Sequence, residues 1–191
     1  MARIEGHGIV CDLPSGFEGE IYAIPLGPGE TPARGVQALA PTAARATGDE
    51  PAPEPEAPAG SVAPMAATAG PTTPPVLHVA TFPLPPDRGD YGNGAVDHMG
   101  TEDIFIALCE FDEEASRSVL YAAEGLPALT AADFDTSTLH RSFPNHSGCQ
   151  KFFHVGNRAF CLYVVLGSHN FRNPLVRQVN ELIAQIDIAA G

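Results

Sequence analysis

The sequence predicts an α+β domain, a mainly antiparallel sheet of about five to seven strands packed by one C-terminal helix and carrying a long disordered insertion. Three observations carry that expectation. Two apolar runs, Gln150 to Val155 and Arg158 to Leu166, flank Gly156-Asn157, a two-residue hairpin signal. Asn173-Pro174 reads as the N-cap and first residue of a helix, and Leu175, Val179, Leu182, Ile183 and Ile186 follow it at helical spacing. Gly27 to Pro75 holds eleven of the 19 prolines and no aromatic, Cys or His. Such a segment buries too little apolar surface to offset an ordering entropy of roughly 1 to 2 kcal/mol per residue. It is expected to be disordered and partly polyproline-like, which divides the chain into an N-terminal hairpin (1–26), an insertion (27–75) and the main domain (76–191).

In chain order, Ile4 to Leu13 reads as one strand with Ile9, Cys11 and Leu13 on a shared face. Leu13-Pro14-Ser15-Gly16 supplies a turn, and Glu20 to Ile24 the return strand. Val76 to Phe82 is apolar on both sides and so an inner strand. On it, His78 reads as a hydrogen-bonded histidine at the core edge rather than a ligand. Pro83 to Gly100 is a loop with room for one helical turn at Ala95 to Met99, and Asp103 to Phe111 is a second buried strand. Ser118 to Ala123 is read as a further strand. Thr130 and Asp133 form a capping box, with only Phe134 and Leu139 downstream to anchor a short helix.

Formal net charge is -13, but its distribution is uneven. Asp87 to Asp135 carries twelve acids against Arg88 and Arg117, whereas His140 to Arg177 carries five of the 10 basic residues, four of the 7 histidines and no acid. Either the two segments neutralise each other within the fold, or the chain presents a two-faced surface to a partner. On the second reading Arg141, Lys151, Arg158 and Arg172 are the candidate partner-binding patch. The acidic balance argues against nucleic acid or an anionic membrane as partner. The opening MARIEGHG lacks the regions of a signal peptide, and no apolar run reaches the ~20 residues of a spanning helix. Cytoplasmic residence is the expectation, with Cys11, Cys109, Cys149 and Cys161 reduced.

Two chemistries compete with a pure binding role. Cys149, in a Gly-containing loop beside Lys151 and Arg141, is a candidate nucleophile with His146 or His154 as base. His140, His146, Cys149 and His154 are candidate zinc ligands, since zinc takes four N or S donors and an H-x-x-C spacing fits two of them. No paired C-x-x-C or H-x-x-x-H knuckle supports the metal, and no cysteine-hydrolase signature supports the nucleophile. Asp87, Asp90, Asp97, Glu102 and Asp103 offer carboxylates for acid–base work, though acids in such loops are usually solvated. Dinucleotide, phosphate-loop, zincin, serine-hydrolase and EF-hand motifs are absent, so no cofactor is expected.

Leu13-Pro14-Ser15-Gly16-Phe17 resembles the "LP-x-G-aromatic" entry of PsbP-like domains, with Phe17 where a Trp is usual, and the closing apolar strand and amphipathic helix resemble that family's end. The FCLYVVLGSH segment before the last helix is similar to one in uncharacterised actinobacterial proteins. The PsbP-like resemblance implies an accessory or assembly module without catalytic machinery. It carries over no site residue. A non-enzymatic protein-interaction module is the expected function, with the small cysteine enzyme and the zinc-binding domain as alternatives.

Overall fold

The computed structural model describes residues 2–26, 72–139 and 143–190 of the chain. Its first departure from the sequence pattern comes at Gly6-His7-Gly8. His7 and Gly8 both take positive φ, 52° and 72°, the backbone of a tight hairpin turn. The run expected as one strand is therefore two, β1 (Ala2–Gly6) and β2 (Ile9–Leu13), paired antiparallel. Ile9, Cys11 and Leu13 do share the buried face of β2. After the Pro14 turn, β3 (Glu18–Tyr22) crosses to another sheet and pairs with β4 (Val76–Ala80) instead of returning along β2.

The main sheet is completed by β5 (Ile104–Phe111), β6 (Ser147–Val155) and β7 (Arg158–Leu166), antiparallel in the order β3-β4-β5-β7-β6. The three strands that read as apolar on both sides, β4, β5 and β7, are the three inner ones. Period-2 alternation then divides the core in two. Leu77, Val79, Ile106, Leu108, Cys149, Phe153, Leu162 and Val164 face one side, together with β2 and the helix. Val76, Ala80, Phe105, Cys109, Cys161 and Val165 face the other, under the 83–100 loop and residues 111–121.

Helix α1 (Arg172–Ile183) buries Leu175, Val176, Val179, Leu182 and Ile183 on the first face, each worth on the order of 1.5 to 3 kcal/mol when fully buried. Two corrections apply here. The helix starts earlier than expected, with Phe171 as its N-cap, and Ile186 is not on its stripe. The chain turns at Ala184-Gln185, and β8 (Ile186–Ile188) pairs with β2, making a second sheet in the order β1-β2-β8. The described residues thus form eight strands in two antiparallel sheets.

Ser118 to Ala123 forms no strand. It holds one 3-10 turn, Val119–Tyr121, capped by the Ser118 hydroxyl, which accepts from Leu120 N at 3.3 Å. The capping box at Thr130 and Asp133 is present and starts a single 3-10 turn, and another turn spans Val96–His98 in the loop. The expected insertion lies outside the described residues from 27 to 71. Pro25 and Thr72, on either side of it, pair as an antiparallel bridge.

Candidate functional site

Of the expected patch, Lys151, Arg158 and Arg172 are engaged within the fold. Lys151 Nζ donates to Asp133 Oδ1 at 2.5 Å, and Asp133 also accepts from the Thr130 amide and hydroxyl, both at 2.7 Å. The Lys151 and Thr130 hydrogen bonds hold the Asp133 carboxyl down at about 2, and the same Asp133 bond raises Lys151. Arg158 Nε and Nη2 donate to the two oxygens of Glu110 at 2.8 and 2.6 Å. Its remaining N–H groups reach the carbonyls of His7, Gly8 and Ala189 at 2.9, 3.2 and 3.1 Å. All five donors of this guanidinium are used, and they tie the main sheet to the β1–β2 turn and the end of β8. Arg172 donates to the carbonyls of Ala131 (3.1 Å) and His169 (2.7 Å). Arg141 lies outside the described residues. Both ion pairs join the acidic segment to the basic one, the neutralisation that the charge split allows.

The cysteine and histidine candidates are not assembled. Cys149 is 1 % exposed in the helix-side core, and burial pushes its thiol up to about 11, Lys151 opposing and Asp133 adding to the rise. A nucleophile needs the opposite setting. His154 lies five residues along the same strand, on the other face, roughly 16 Å away at ~3.3 Å per residue. Its Nδ1–H donates to the Tyr121 carbonyl at 2.7 Å. His146 packs its ring on Phe143 (5.5 Å), which belongs to the loop-side core, and its Nδ1–H donates to the Pro144 carbonyl at 2.9 Å. His140 lies outside the described residues. Among those described, no three His, Cys, Asp or Glu side chains converge on a point where a metal could sit.

The best-organised polar group surrounds His78, which is fully buried on β4. A carbonyl can only accept, so Nε2 carries the proton and donates to Asp90 O at 2.8 Å. Nδ1 is then the acceptor for Arg88 Nε at 2.9 Å. Arg88 also donates to Pro85 O at 2.7 Å and pairs with Glu20, while Tyr22 Oη donates to Asp90 Oδ1 at 3.1 Å. Burial, with the Arg88 charge adding to it, drives His78 down to about 4 against the opposing pull of its Asp90 bond. This clasp pins the 83–100 loop to β3 and β4. Its members were visible in the sequence only as a lone strand histidine and a Pro-rich loop containing one Arg. Of the loop carboxylates, Asp103 holds the loop's exit, accepting from Thr81 Oγ1 (3.0 Å) and Gly100 N (2.6 Å).

Gly92, at φ 77°, lets the same loop lie against Phe105, since a Cβ there would strike the ring. Beyond it is a shallow recess, with room for about 20 Å³, walled by Tyr91, Val96, Asp97, Leu139, Phe143 and Tyr163. Of the candidate residues it holds only the Asp97 carboxylate among those described. The most exposed large apolar side chain described is Val119, at 91 %, next to Leu120 at 44 %. Neither stood out in the sequence, where Ser118 to Ala123 reads as a further strand. Protein-family models, curated proteins and solved structures contain no match to this chain.

Proposed function

We propose that this chain is a non-enzymatic protein-interaction or assembly module whose contact surface is the Val119-Leu120 knuckle. The observation that carries the reading is an apolar pair held out in water by a pinned support. Tyr121, the next residue, is fully buried and packs against Phe111 and Phe152 at 5.6 and 5.5 Å. The turn therefore cannot fold its apolar side chains inward. Each forgoes up to roughly 1.5 to 3 kcal/mol of burial that a partner surface would supply. Glu113, Glu114 and Glu124 are exposed on the flanking segments, and Arg117 is paired with Glu113 at 3.3 Å. The complementary partner is a protein with an apolar recess and a basic rim. The PsbP-like resemblance points to the same class of role.

The test compares the wild-type chain with Val119→Asp/Leu120→Asp as bait in native lysate, at low and at high salt. The variant changes exposed positions, and an unaltered melting temperature checks that its fold is kept. The expected result is a defined protein retained by the wild type and lost by the variant. Retention of nothing at either salt, or of the same proteins by both baits, overturns the proposal.

A further inference from the structure

Cys109 on β5 and Cys161 on β7 are directly opposite in the antiparallel ladder, so their side chains stand together on one face of the sheet. The ladder's phase is set by two bonds: Glu110 N donates to Pro75 O at 3.1 Å and Gly167 N to Asp103 O at 2.9 Å. Odd-numbered residues of β5 thus bond toward β7, and Cys109–Cys161 is a hydrogen-bonded pair with its Cα atoms about 5.5 Å apart. That separation lies inside the range of about 4.4 to 6.8 Å that disulfides span. Both residues carry thiols rather than a disulfide, and both are fully buried.

Two consecutive loop residues cover them. Cys109 Sγ–H donates to Asp90 O at 3.5 Å, and Tyr91 hydrogen-bonds to Cys161, whose sulfur also accepts from Gln150 Nε2 at 3.3 Å. Asp90 is in turn gripped by Tyr22 and His78. We propose that Cys109 and Cys161 are a latent cross-strand redox pair, sealed by Asp90-Tyr91 and closed to a disulfide by a small disulfide oxidant when that dipeptide lifts. One cysteine thiolate attacks the oxidant, whose S–S bond breaks, giving a mixed disulfide and one small thiol. The second thiolate attacks the protein-side sulfur of that mixed disulfide and expels the other small thiol. Two electrons pass to the oxidant, and the two cysteine protons end on the two released thiols. In the sealed state, burial holds the Cys161 thiol up at about 12, which keeps the pair inert. Closing the bond draws Cβ atoms from about 5 Å to about 4 Å, a strain that keeps the disulfide reducible. It also removes the S–H that Cys109 donates to Asp90, so the oxidised chain grips its loop less firmly.

The experiment incubates the full chain with oxidised glutathione, quenches with acid, alkylates in denaturant and maps the cysteines by mass spectrometry. The expected product is the Cys109–Cys161 linkage, reversed by dithiothreitol, with Cys11 and Cys149 still thiols. Tyr22→Phe, which removes one hold on Asp90, should oxidise about tenfold faster, equivalent to about 1.4 kcal/mol in the opening equilibrium. Four free thiols in both proteins, a linkage between any other pair, or a linkage formed only in denaturant overturns the redox pair. Equal rates for wild type and Tyr22→Phe overturn the role of Asp90-Tyr91 as its seal.

Discussion

Arg158→Ala is expected to destabilise the fold by about 3 to 5 kcal/mol, the cost of breaking a buried ion pair from one side. The side chains of Arg158 and Glu110 are only 12 % and 14 % exposed, so solvent screens the pair weakly. Removing the guanidinium deletes two charge-assisted hydrogen bonds, leaves the Glu110 carboxylate without its cation, and withdraws donors from the carbonyls of His7, Gly8 and Ala189. Those carbonyls lie at the surface and can turn to water, so the carboxylate dominates the loss. Against a total stability of about 5 to 15 kcal/mol for a domain, the change is large. Urea unfolding at pH 7, with the midpoint and slope fitted separately, measures it. Glu110→Leu/Arg158→Met should lose less than Arg158→Ala alone, because it leaves no charge behind. A loss under about 1 kcal/mol for Arg158→Ala, the range of exposed pairs, would refute the staple. A weakened association at unchanged stability would return Arg158 to the role of a docking residue.

Three further outcomes follow from the same geometry. His78 falls from an ordinary value of 6.5 to about 4, so the unfolded chain binds its proton first and stability drains away as pH falls from about 6.5 to about 4. The total is about 3 kcal/mol at ~1.4 kcal/mol per unit, and His78→Gln should flatten that slope in urea melts between pH 7 and 4.5. Tyr121 Oη is buried with no hydrogen-bond partner among the described residues, so Tyr121→Phe should be neutral or raise stability by up to about 2 kcal/mol in thermal melts, whereas a loss would reveal a partner for the hydroxyl. Timed alkylation of the native chain should modify Cys149 more slowly than a free thiol at neutral pH; faster reaction would revive it as a nucleophile.

Much of the fold could be read from the chain because its strongest signals are local. Gly156-Asn157 between two apolar runs permits one hairpin, and strands apolar on both faces have nowhere to lie except mid-sheet. What could not be read depends on distant partners. Ile186 continues the helical spacing of Leu182 and Ile183, and only the edge of β2, far away in sequence, makes it a strand residue. Gly6-His7-Gly8 did carry a turn signal, but the alternation around it masked the break. Val119 and Leu120 have strand-like composition, yet the Ser118 hydroxyl and the burial of Tyr121 fix a 3-10 turn. The charge split was legible as a sum and ambiguous as a surface: Lys151–Asp133 and Arg158–Glu110 neutralise part of it internally. The His78 clasp needed three dimensions, since Glu20, Tyr22, Arg88 and Asp90 come from two separate segments.

The pairing of β2 with β8 joins residues 9–11 to residues 186–188. During synthesis β2 meets β1 at once, but its second neighbour is made only after every strand of the main sheet and α1. Until then Ile9, Cys11 and Leu13 have neither β8 nor the helix to cover them. The slow step of folding should therefore be the late closure of this long-range pair, and a ribosome-bound chain stalled before residue 186 should be prone to aggregate through the open edge of β2.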